Sequence, residues 1–178
     1  YLDITIGPLV NLWGFGPQAR PEVIPDEQTI EATRAKVGME KLVVREGSAQ
    51  KLQPDMYVDL STVAKGYGVD QVAKIMEKAG IVNYLVEVGG EMRLSGAKAN
   101  GNSWVVAIEK PVSSERSIQT FITVGDNAIA TSGDYRNYYE ESGRRYSHLI
   151  DPKTGFPIQH NLVSVTVVHP SCMTADGF

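Results

Sequence analysis

The stretch S-T-V-A-K-G-Y-G-V-D-Q-V-A-K-I-M-E-K-A-G-I-V-N-Y-L-V-E-V-G-G-E-M-R-L-S, residues 61–95, decides the fold class. Val63, Tyr67, Val72, Ile75, Met76 and Ala79 recur at helical spacing and predict a helix running to about 79, with those residues as its apolar stripe. Ser61 or Thr62 can cap its start, and Gly80 stops it. Beyond it, 82–88 and 91–95 read as strands on either side of Gly89-Gly90. Downstream, strands are expected at 103–109, 116–124 and 127–131. Within Ser117–Val124 the alternation puts Ile118, Ile122 and Val124 on one side. Tyr138 to His148 reads as a hairpin turning at Ser142-Gly143, and Leu162 to Val168 as a final alternating strand. Upstream, 57–60 reads as a short strand, 41–46 and 50–53 as a strand pair, and 27–37 as a helix through Ile30, Thr33, Arg34 and Val37. Residues 1–25 hold Gly7, Pro8, Gly14, Gly16, Pro17, Pro21 and Pro25, a density of breakers that favours an ordered loop or cap. A few helices among many hairpin strands indicate an α+β fold with mostly antiparallel sheet.

Composition narrows the function classes. The 178 residues carry 17 Lys plus Arg against 21 Asp plus Glu, a net charge of −4, with no basic stripe to meet a nucleic acid. Apolar residues make up 42%, enough for a core and too many for a disordered chain. No run approaches the ~18–20 apolar residues of a membrane span. One cysteine, Cys172, excludes an internal disulfide and any multi-cysteine zinc site. At this length a single domain is the default expectation. The chain opens on Tyr1-Leu2-Asp3-Ile4 and closes on Thr174-Ala175-Asp176-Gly177-Phe178, which reads like the first turn of a helix. The expectation is the central part of a longer protein, cut at both ends.

Five segments can carry chemistry. In Y-V-D-L-S-T-V-A-K-G-Y-G, residues 57–68, Asp59 precedes a helix start whose free N–H groups favour an anion, and Lys65 adds charge one turn in. A capped helix with two packing glycines explains the same residues. Gly89-Gly90 can form an anion nest or simply join two strands. A-T-S-G-D-Y-R-N-Y-Y, residues 130–139, offers tyrosine faces to an aromatic ring, or tyrosines covering a sheet. His148 can move a proton at neutral pH or serve structure; His160 and His169 lie by loops and are weaker candidates. Asp176 can cap a helix or bind Mg²⁺, which takes few protein carboxylates and fills its shell with water and phosphate. The set fits a nucleotide or phosphate ester with an aromatic ring, without identifying a reaction.

Six stretches in series resemble the ApbE family of Mg²⁺-dependent FAD:protein FMN transferases, formerly called thiamine-biosynthesis lipoproteins. They are I-T-I-G-P-L-V-N-L-W-G-F-G (4–16), Y-V-D-L-S-T-V-A-K-G-Y-G-V-D (57–70), Y-L-V-E-V-G-G-E (84–91), A-T-S-G-D-Y-R-N-Y-Y (130–139), S-H-L-I-D-P-K-T-G-F-P-I (147–158) and T-A-D-G-F (174–178). No single stretch is specific; their order along the whole chain carries the resemblance. It implies a T-fold-related α+β architecture, Mg²⁺ as cofactor and FAD as substrate. It further implies transfer of FMN to a Thr or Ser hydroxyl of an acceptor flavoprotein, with AMP released. By position, His148 matches the catalytic histidine, Asp59 and Lys65 match flavin-nucleotide contacts, and Ile150 matches a backbone contact to FAD. Thr62 matches a residue whose backbone carbonyl binds the metal, and Asp176 matches the metal carboxylate.

The family pattern also extends beyond these residues. Its metal motif continues to a threonine past Phe178, and its members have an upstream region with FAD contacts and, in many, a lipidated cysteine. The resemblance therefore implies a lipid-anchored protein on the periplasmic face of the inner membrane, of which this chain holds part of the site. Weaker Mg²⁺ and FAD binding than in a longer chain is expected. The alternatives at this stage are a Mg²⁺-dependent FAD pyrophosphatase giving FMN and AMP, a non-enzymatic FAD-binding protein, or an interaction domain with no nucleotide.

Overall fold

The computed structural model describes residues 2–17, 20–112 and 117–178. In chain order the elements are α1 (Gly7–Leu12), α2 (Glu27–Arg34), β1 (Leu42–Arg45), β2 (Ser48–Lys51), α3 (Ser61–Lys78), β3 (Tyr84–Val88), β4 (Glu91–Ser95) and β5 (Val106–Glu109). They continue with β6 (Ile118–Ile122), β7 (Ala128–Gly133), β8 (Tyr138–Glu141), β9 (Arg144–Ser147), β10 (Ser164–His169) and α4 (Cys172–Asp176). All the strand pairs are antiparallel, so the α+β expectation holds. Among the described residues no helix is long and apolar enough to cross a membrane. The residues divide into two compact units, one built from the chain up to Leu60 with Asn137–Asn161, the other from Ser61–Arg136 with Leu162–Phe178.

The first unit gathers α1, α2 and the hairpins β1–β2 and β8–β9. The 1–25 stretch is not all loop: Pro8 sits in the first turn of α1, where its fixed φ and missing N–H cost nothing. Within that stretch Tyr1, Gln18 and Ala19 lie outside the described residues. Asp26 caps α2 by accepting the Thr29 N–H at 2.7 Å. Leu9, Trp13, Ile30, Val37, Tyr146 and Ile150 form the core. Trp13 is fully buried, and its indole N–H donates to the Gly155 carbonyl at 2.8 Å. Two expectations are corrected. The first hairpin turns at Glu46-Gly47, because Gly47 at φ +71° takes the left-handed position, so β2 starts at Ser48. Residues 57–60 form no regular strand; within them the Asp59 N–H donates to the Ile4 carbonyl at 2.7 Å.

The second unit is a four-stranded sheet of order β10-β7-β4-β3. On one face α3 and α4 pack over Tyr84, Val86 and Ala128 with Val69, Ala73 and Cys172. On the other, Leu94 and Ile129 meet Val106, Ile122 and Val124 of the β5–β6 region. Ile118 departs from the expected apolar side and is exposed, since pairing becomes irregular at Ile108 and Glu109, where it lies. The expected strand over 116–124 begins at Arg116, outside the described residues. The stripe expected for α3 is rotated. Its buried residues are Gly66, Val69, Asp70 and Ala73, while Tyr67, Val72 and Ile75 are exposed. Gly66 stands on the inner face because α4 approaches too closely there for a Cβ. Ser61 and Thr62 lie in the first turn of α3.

Candidate functional site

In the second unit the expected residues Thr62 and Lys65 lie on the first turns of α3, and Asp176 of α4 bonds the α3 backbone at Gly66. Asp176 is 7% exposed and stands at the last residue of α4, not at a helix start. That helix opens earlier because Ser171 accepts the Thr174 N–H. The Asp176 Oδ2 accepts the Gly66 N–H at 2.9 Å. An α-helix directs that same N–H to the carbonyl four residues back, which is Thr62. The Asp176 carboxylate is thereby held on α3 one helical turn after Thr62. The approach requires Gly66: a Cβ there would run into the Cys172 carbonyl and lie 2.8 Å from the Asp176 Cβ.

Beside this pair, Lys65 Nζ bonds Glu91 Oε1 at 2.7 Å. The Glu91 side chain is buried on β4, and its Oε2 meets no donor among the described residues. A buried carboxylate oxygen without a partner is unusual and suits a cation or a donor brought by a ligand. Gly89 at φ +59° and Gly90 at φ +102° make the tight turn into β4. Gly90 donates to Glu87 Oε1 at 2.9 Å, so the pair serves first as a hairpin connection.

These donors fit a hard divalent cation. Among the described residues no three His, Cys, Asp or Glu side chains gather as a metal cluster. A cation on Asp176 and the Thr62 carbonyl would draw the rest of its shell from water and phosphate oxygens, which is the habit of Mg²⁺ and not of structural zinc.

One buried carboxylate escaped the sequence reading. Asp70, on the inner face of α3, accepts bonds from the Cys172 N–H at 3.0 Å, the Met173 N–H at 3.1 Å, the Ser171 hydroxyl at 2.8 Å and Arg93 at 3.1 Å. Burial pushes its pKa up, but the Cys172 and Met173 amides, the Ser171 hydroxyl and Arg93 outweigh it and hold the carboxyl below its ordinary value. An aspartate four residues after Gly66 was the available clue, hidden by the misplaced stripe.

In the first unit the candidates are Asp59, His148 and Ile150. His148 follows β9 directly. Its N–H and its ring Nδ1 both meet the Asn137 carbonyl at 3.1 Å, and Phe15 lies edge-on at 6.3 Å. An imidazole that donates from Nδ1 carries its lone pair on Nε2, the arrangement of a positioned base. Behind it Phe15, Tyr139, Tyr146 and Trp13 stack in sequence at 5.3–5.5 Å, with Arg20 over Tyr139 at 3.5 Å. Ile150 has its side chain in the core. Asp59 is half-buried beside Gly7, at the start of α1. Of the weaker histidines, His169 accepts the Ser171 N–H at 3.0 Å and shapes the turn into α4. The 130–139 segment divides between the units: Thr131 pairs with Thr166 across the sheet, and Arg136 with Glu109.

Comparison with known proteins agrees with the motifs. The sequence model of the ApbE family matches residues 1–178. A Vibrio cholerae protein named FAD:protein FMN transferase is 58% identical over 176 residues, 99% of this chain and 53% of its own length. The protein of that name from Escherichia coli K12 is 51% identical, over 99% of this chain and 52% of its own. The chain thus spans about half the length of the curated relatives it matches. The solved structure of the flavin transferase ApbE from Vibrio cholerae superposes with a TM-score of 0.89 at 55% identity, over 99% of this chain and 56% of that one. The ApbE protein of Thermotoga maritima superposes at 0.84 with 30% identity, over 98% and 56%. The chain belongs to the ApbE family.

Proposed function

We infer that this chain is part of a Mg²⁺-dependent FAD:protein FMN transferase. The hydroxyl of a Thr or Ser in an acceptor flavoprotein attacks the FMN-side phosphorus of FAD. The new phosphoester forms as the pyrophosphate bond to AMP breaks, and AMP leaves. The observation that carries the reading is the buried Asp176 carboxylate held on the Gly66 N–H of α3, one helical turn after Thr62. The names of relatives at 58% and 51% identity support it.

Each residue has a defined task in this reading. Asp176 and the Thr62 carbonyl hold Mg²⁺, which when bound neutralises pyrophosphate charge and acts as a Lewis acid. Lys65, held by Glu91, presents its ammonium to a phosphate. Asp59 and the backbone of Ile150 contact the flavin nucleotide. His148 takes the acceptor hydroxyl proton on Nε2 while Asn137 fixes the ring through Nδ1, a service typically worth ~10²–10⁴ in rate. Placement and charge stabilisation supply the remainder. A lipid-anchored, periplasmic location belongs to the same proposal; fractionation of cells expressing the complete protein tests it.

The direct test mixes the complete protein containing this chain with FAD, Mg²⁺ and an acceptor flavoprotein domain. Flavin fluorescence on a denaturing gel and a mass increase of one FMN on the acceptor are expected. Free FMN and AMP with every acceptor tried would turn the reading to a hydrolase. Intact FAD would turn it to a binding protein.

A further inference from the structure

Helix α4 lies directly against α3: a Cβ on Gly66 of α3 would run into the Cys172 carbonyl of α4. Helix α3 grips it at two points four residues apart on one face. At the far end the Gly66 N–H meets the Asp176 carboxylate. At the near end Asp70, 6% exposed, receives the Cys172 and Met173 amides and the Ser171 hydroxyl. Ser171 in turn accepts the Thr174 N–H, so the cap of α4 is itself tied to Asp70. Arg93 from β4 bonds Asp70 at 3.1 Å and Glu77 at 3.1 Å, fixing the carboxylate from the sheet side.

We propose that Asp70 is a positioning residue for Asp176, setting through α4 where the carboxylate stands relative to the Thr62 carbonyl. The proposal rests on the reading that Asp176 holds a divalent cation. Its chemistry is specific to a carboxylate. Every partner of Asp70 in this network is a donor, so both oxygens must accept. An asparagine of equal shape would turn its amide nitrogen toward donors and lose the charge that faces Arg93. The start of α4 then loses its anchor, and the Asp176 carboxylate carried by α4 shifts from its place on the Gly66 N–H.

The test uses the complete protein and Mn²⁺ as probe, titrated by electron paramagnetic resonance without flavin. Asp70→Asn weakens Mn²⁺ binding roughly 10- to 100-fold, the usual effect of removing a group that orients a metal ligand. In the transfer assay it raises the Mg²⁺ concentration needed for half-maximal rate, while kcat at saturating Mg²⁺ stays near that of the parent. Unchanged Mn²⁺ affinity, or a lower kcat with an unchanged Mg²⁺ requirement, overturns the proposal. Should Asp70→Asn fail to fold, Ser171→Ala removes one donor and the α4 cap together; a smaller loss of Mn²⁺ affinity is expected, and none overturns it. Asp176→Asn separates the two ideas. Mn²⁺ binding that depends on Asp176 and not on Asp70 leaves the transferase reading standing and this proposal fallen. No Mn²⁺ binding by the parent, or equal binding by Asp176→Asn, removes the metal reading and the proposal with it.

Discussion

At the scale of single residues, Gly66 separates packing from helix propensity. Alanine in a helix interior is ordinarily favoured over glycine by about 1 kcal/mol. Here the added methyl meets the Cys172 carbonyl and the Asp176 Cβ. Gly66→Ala is therefore expected to destabilise by about 1–3 kcal/mol, the range for overpacking, and to weaken Mn²⁺ binding as well. Urea unfolding measures the first; a gain in stability would show that α4 yields freely and that the close approach is unimportant. His148 gives a different test. Its ring Nδ1 meets the Asn137 carbonyl and its edge meets Phe15. His148→Ala is expected to abolish labelling of the acceptor and leave FAD affinity, by calorimetry, near the parent value. Labelling at the parent rate would remove the base assignment.

At the scale of elements, the hairpins show what can be read in advance. Ser142 at φ +51° and Gly143 at φ +74° both take left-handed conformations between paired β8 and β9, the requirement of a two-residue primed turn. Ser-Gly flanked by alternating residues carried that information. Serine is the imperfect member, since non-glycine residues enter this region at a cost that asparagine largely escapes. Ser142→Asn is expected to raise the stability of its unit by up to about 1 kcal/mol, seen as a higher urea midpoint; a lower midpoint would contradict the turn geometry. The helix α3 shows the opposite case. Its ends were legible from Gly80 and the hydroxyl-rich start, its facing was not. Apolar periodicity assumes that the buried side is the oily one, whereas this helix buries Gly66 and Asp70 and exposes Val72 and Ile75. Backbone proximity and a saturated carboxylate decided the facing, and neither is a hydropathy signal. The candidate residues His148 and Asp176 stood out only through the serial motifs. The contacts that place them run between segments 11 and 110 residues apart.

At the scale of the whole molecule, the acidic balance meets one buried thiol. Cys172 is fully buried. Burial, followed by the carboxylates of Asp70, Asp176 and Glu91, pushes its pKa up to about 12 from 9.0, with Arg93 opposing. Below pH 9 the thiol is protonated in both folded and unfolded chains, so its ionisation is without effect on stability. Between pH 9 and about 12 the unfolded chain ionises and the folded chain does not, so stability falls as the pH rises. The slope reaches about 1.4 kcal/mol per pH unit. Lysines and tyrosines titrate in the same range, and a comparison cancels them. Cys172→Ala lacks the thiol but keeps every other group. At pH 8 the variant is expected to be the less stable, by about 1 kcal/mol, through the small cavity it leaves. As the pH rises toward 10.5 the gap closes and reverses, because only the parent pays for a thiol it cannot ionise. Urea midpoints for both proteins at half-unit intervals measure this directly. A gap that stays constant from pH 8 to pH 10.5 would mean that the folded thiol ionises as readily as the unfolded one. The packing of α3 and α4 around Cys172 would then have to be open to water.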